Sequence, residues 1–62
     1  MNEFARADAA VAELVRQLRE DDPPPSVAEI RATLRIAEHA GLFGSVLVIL
    51  SLARQREIDV WT

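Results

Sequence analysis

Leu42-Phe43-Gly44-Ser45-Val46-Leu47-Val48-Ile49-Leu50-Ser51-Leu52-Ala53 gathers more apolar side chain in one place than a chain of 62 residues readily covers. Wound as a helix at about 100° per residue, Val46, Leu47, Val48, Ile49, Leu50 and Leu52 point in nearly every direction, and only Ser51, Arg54 and Gln55 leave a polar sector. The β-branched members would also suit a buried strand. Leu47, Leu50, Leu52, Ala53, Arg54 and Gln55 favour helix, which predicts a third helix over residues 45–56. A helix apolar all round must be packed all round. If the rest of the chain does not cover it, a second copy or a partner protein must.

The length sharpens this demand. A chain of this size buries only about 60% of the surface its unfolded form exposes, and a single small core rarely supplies more than ~3–5 kcal/mol without disulfides, a metal or oligomerisation. There is no Cys and only one His, so crosslinks and a zinc site are excluded by composition and oligomerisation is left. No cofactor is expected. Half the residues are apolar and 27% are charged, the balance of a folded globular protein. The net charge of −3 argues against a general affinity for nucleic acid. Glu3 and Asp8 near the start, with no basic-then-apolar segment, do not read as an export signal, and a cytoplasmic location is expected. The apolar run of about 12 residues is shorter than the ~20 a membrane span needs, so no membrane role is expected.

Phe4, Ala7, Val11, Leu14 and Leu18 recur at alternating spacings of three and four, the pattern of an amphipathic helix over residues 3–20 with Asn2 as its N-cap. Glu3 at its start and Arg16 and Arg19 near its end suit the helix dipole. Residues 21–25, Asp-Asp-Pro-Pro-Pro, form a stiff extended linker, because each proline disfavours helix in the residue before it. Ser26-Val27-Ala28-Glu29 is a capping box that opens a second helix over residues 26–40. Val27, Ile30, Leu34 and Ala37 supply its apolar face, and Gly41 its left-handed terminator. Ala32, Ile36 and Ala40 make a second, shallower stripe on the opposite side. Glu57-Ile58-Asp59-Val60-Trp61-Thr62 alternates at period two and reads as a short half-buried strand in the tail, residues 57–62. A lone strand needs an edge to pair with, so the tail either pairs across a dimer or with a partner, or lays Ile58, Val60 and Trp61 on the bundle.

The tests for chemistry come out empty. His39 has no Gly-x-Ser-x-Gly elbow or triad partner, and its place in the last turn of the second helix accounts for it. Glu20, Asp21 and Asp22 are contiguous beside prolines and lack the spaced oxygen ligands of a calcium loop. Gly41 and Gly44 match no phosphate-binding pattern. Arg31, Arg35 and His39 lie at i, i+4 and i+8 on one side of the second helix, where Arg31 and Arg35 are candidates to meet an acidic partner or nucleic acid.

The segment Val46-Leu47-Val48-Ile49-Leu50-Ser51-Leu52-Ala53-Arg54-Gln55-Arg56-Glu57-Ile58-Asp59-Val60 resembles the close of a winged-helix domain. In particular it is similar to the C-terminal winged helix of the bacterial kleisin, segregation and condensation protein A. That domain ends in an apolar helix, a short charged turn and an alternating strand, and Ser26-Val27-Ala28-Glu29-Ile30 resembles the start of an earlier helix there. The resemblance implies binding to the head of a condensin-type ATPase without catalysis by this chain. The connection between the last two helices is short for that family.

The expected architecture is therefore one mainly α domain of three helices with a strand-like tail, and pairing as a homodimer or with an obligate partner is the expected remedy for its small core. The expected function is a non-enzymatic interaction module, an adaptor or regulatory subunit. Val46, Ile49, Leu50, Ala53 and Trp61 are the expected interface, and Ala32 and Ile36 a second contact. The alternative is a DNA-binding regulator of helix-turn-helix or winged-helix type using Arg31 and Arg35 or Arg54 and Arg56.

Overall fold

The computed structural model describes residues 2–61 and contains three α-helices, α1 (Glu3–Glu20), α2 (Val27–His39) and α3 (Phe43–Gln55), each packed on the other two. Among the described residues there is no β-strand. The core lies where the three helices meet: Val11, Leu14 and Leu18 from α1, Ile30, Leu34 and Ala37 from α2, Ile49 and Ala53 from α3, with Val60 of the tail closing one side. Ala7 is also buried, whereas Phe4, expected on the same face, is more than half exposed.

Local chemistry sets each boundary. Asn2 Oδ1 accepts from the Ala5 N–H at 2.8 Å, and Ser26 Oγ accepts from the Glu29 N–H at 3.2 Å, so both side chains satisfy a free donor of a helix start. Only this forward half of the expected capping box forms; no bond joins the Ser26 N–H to the Glu29 carboxylate. On the exposed side of α1, Arg16 donates to Glu13 at 2.7 Å and also reaches Glu20 and Asp21. The bond from Arg16 holds the Glu13 carboxyl below its ordinary range.

Two matching turns end α2 and α3. After α2, Gly41 has φ of 77°, its N–H donates to Glu38 O at 3.1 Å and the Leu42 N–H donates to Ala37 O at 2.8 Å. This is a Schellman motif, in which the apolar residue after the left-handed position folds back onto the core. Leu42 does so, and α3 starts at once, at Phe43 instead of Ser45. After α3 the same pair of bonds recurs, Glu57 N–H to Arg54 O at 3.0 Å and Ile58 N–H to Ala53 O at 2.9 Å, with Glu57 at φ of 59° in the place of glycine. Ile58 packs on the core as Leu42 does.

The tail is a turn and not the expected strand. Its period-two pattern survives in burial, with Ile58 half-buried and Val60 buried between exposed Glu57, Asp59 and Trp61. No strand edge exists among the described residues for it to join. Instead Asp59 Oδ1 accepts from the Trp61 N–H at 3.0 Å, and Arg31 Nε on α2 donates to Val60 O at 2.7 Å. Thr62 lies outside the described residues.

Arg56 joins the end of α3 to the end of α1. Its guanidinium donates to Leu18 O at 2.8 Å and to Asp21 O at 2.9 Å, placing a positive charge on the carbonyls left free at the end of α1. Such a cation at a helix C-terminus is worth about 1 kcal/mol, more where it is partly buried as here.

The two left-handed positions give opposite substitution effects. Glu57→Gly relieves a side chain from a backbone conformation that costs non-glycine residues roughly 1 kcal/mol and should raise the unfolding free energy by about 0.5–1 kcal/mol. Gly41→Ala should lower it by about 1 kcal/mol although open space surrounds the added Cβ. Urea unfolding followed by far-UV circular dichroism measures both; equal signs would contradict the pairing of the two turns.

Candidate functional site

α3 has an inner and an outer side. Ile49 and Ala53 are fully buried and face α1 and α2. Their assignment to an external interface is corrected: within the single chain they are core. Val46 and Leu50 are half-buried on the shoulder of the helix. About 120° round from the Ile49/Ala53 line, Phe43 and Leu47 stand 66% and 69% exposed, one helical turn apart. Leu50 and Arg54 continue that row towards the C-terminus. Apolar side chains standing singly in water are ordinary; a connected row of them is not.

Trp61 borders the same row. It is 74% exposed, held beyond buried Val60 by the Asp59 turn and by the Arg31 bond to the Val60 carbonyl. A groove of about 580 Å³ runs between it and α3, lined by Leu50, Ser51, Arg54 and Asp59 among others. A second of about 260 Å³ opens on its α2 side, lined by Arg31, Leu34, Arg35, Glu38 and Val46. Phe43, Leu47, Leu50, Val46 and Trp61 thus form one apolar surface, with Arg35 and Glu38 on one flank and Arg54 and Glu57 on the other.

The remaining predicted residues fall elsewhere. Ala32 and Ile36 are exposed on the far side of α2, away from this surface. Of the arginines, Arg31 holds the tail and Arg56 holds the end of α1, so both serve the fold. Arg35 is exposed beside the smaller groove. Phe43 and Leu47 are the functional candidates that sequence reasoning passed over. On a helix apolar all round nothing marks which side is inner, and their exposure follows only once Ile49 and Ala53 are seen to meet α1 and α2. No helix is long and apolar enough to cross a membrane, and no cluster of His, Asp or Glu among the described residues could hold a metal ion.

The class these features define is a three-helix domain with one apolar outer face. The chain matches no family model, no curated protein and no solved structure.

The division of α3 is measurable at protein concentrations too low for association. Ile49→Ala should cost about 2–5 kcal/mol, enough to unfold much of a chain this small. Leu47→Ala should stay within about 0.5 kcal/mol of the parent. Urea unfolding by far-UV circular dichroism gives both values, and comparable losses would contradict the inner and outer assignment.

Proposed function

We propose that this protein is a non-enzymatic protein–protein interaction module, a small adaptor or regulatory subunit, whose binding surface is the outer side of α3 with Trp61. The observation that carries this reading is the exposure of Phe43, Leu47 and Trp61 together on one face of a domain whose core is already filled without them. Large aromatic side chains in such a position supply most of the energy of a protein interface when a partner removes them from water.

The DNA-binding alternative draws on Arg35 and Arg54, whose guanidinium groups make no hydrogen bond or ion pair among the described residues. Arg31 and Arg56, the other members of each pair, are engaged with backbone carbonyls, which leaves that reading less support than the apolar one. Duplex binding would weaken steeply as salt rises from low to moderate, and an apolar contact would hardly respond.

A photoreactive benzoylphenylalanine placed at Leu47 tests the module directly in the cells that make the protein. An adduct should form from that position and not from exposed Ala28 on α2. Absence of any adduct from position 47, with the labelled chain folded, would overturn the reading.

A further inference from the structure

We propose that the outer side of α3 binds the same side of a second copy, with the two helices antiparallel about a two-fold axis between Leu47 and Leu50. This rests on the reading of α3 as an interaction surface and adds its occupant. A two-fold interface must be complementary to itself. Phe43, Leu47, Leu50 and Arg54 follow one another at spacings of four, three and four, which read the same in both directions. These are also the spacings of alternating d and a positions in a coiled-coil seam. Reversing one helix sets Leu47 against Leu50 of the other copy and Phe43 against Arg54.

The ends of the row decide the direction. The Arg54 guanidinium forms no hydrogen bond or ion pair among the described residues, and the exposed ring of Phe43 lies at the opposite end of the same helix. In the antiparallel arrangement each guanidinium meets an aromatic face, a contact worth about 0.5–1 kcal/mol at an exposed site and more when water is removed. A parallel arrangement would put Arg54 against Arg54. The other exposed apolar residues have no such pattern: Phe4 stands on α1, Val48, 45% exposed, lies about 100° round α3 from Leu47 and off the row, and Ile36 has only Ala32 and Ala40 beside it on its stripe.

The area suffices. A stable pair needs about 600 Å² from each copy, out of the 4379 Å² that the chain exposes. An aromatic side chain carries about 150–250 Å², so Phe43 and Trp61, about two-thirds and three-quarters exposed, bring on the order of 300 Å² between them. Leu47, the uncovered parts of Val46 and Leu50, and the aliphatic stem of Arg54 supply the remainder.

A charge exchange tests the register, because residues 43 and 54 lie too far apart along one helix to touch within a copy. Sedimentation equilibrium of the whole chain should show a monomer–dimer equilibrium. Phe43→Arg sets two cations opposite each other and should weaken dimerisation at least about tenfold. Arg54→Glu should weaken it too, and the Phe43→Arg/Arg54→Glu double variant should recover to within about threefold of the parent. Far-UV circular dichroism checks that all three remain folded, as exposed sites predict. A monomeric parent at about 1 mM, or a double variant no better than the worse single one, would overturn the proposal. An adduct from position 47 with a different protein, together with a monomeric parent, would overturn self-pairing and leave the interaction module standing.

Discussion

Two helices cannot surround a third. α3 is apolar on nearly every side, while α1 and α2 can line only part of its circumference, and every other feature of the molecule answers to that geometry. Ile49 and Ala53 turn inward because their side chains fit the space left by Leu14, Leu18, Ile30 and Leu34. Once they do, the helical period leaves Phe43 and Leu47 facing water. The outer row is therefore a consequence of the inner one: among the described residues ten apolar side chains are buried, no polar one is, and Phe43 and Leu47 stand outside that core.

The rest of the chain serves to hold α3 in that orientation. At one end, Gly41 and Leu42 turn the chain so sharply that only three residues separate α2 from α3. At the other, the turn through Glu57 and Ile58 repeats the geometry and returns the tail across the bundle. Two arginines then fasten these ends through backbone carbonyls, Arg56 to the end of α1 and Arg31 to Val60. Backbone carbonyls keep their acceptor character at any ordinary pH, so these two fastenings differ in kind from the solvent-screened ion pairs of Arg16 on α1. Their effect at the surface is to set Trp61 beside the α3 row, where it widens a strip into a face.

Much of this was legible in the residues. The three-four spacing of Ala7, Val11, Leu14 and Leu18, the Ser26 cap and the glycine at position 41 each name a local structure with a physical cause, and α1 and α2 follow them closely. The tail was harder, because alternation of Ile58 and Val60 reports which side chains go inward and says nothing about whether a strand edge is present to bond. Glu57 gives no glycine to announce its left-handed turn. The site was least legible. Val46, Leu50 and Trp61 were accessible to reasoning from composition, but a helix with apolar residues all round carries no amphipathic signal, so Ile49 and Ala53 could not be told from Phe43 and Leu47 until tertiary packing chose between them.

The most direct measurement is a dilution series of amide and indole NMR spectra of the ¹⁵N-labelled chain. If the outer side of α3 meets a second copy, concentration-dependent shifts should gather at Phe43, Leu47, Leu50, Arg54 and the Trp61 indole, and leave Phe4 and Ile36 unmoved. Spectra that do not change with concentration, or changes centred on the Ala32/Ile36 stripe, would contradict the account.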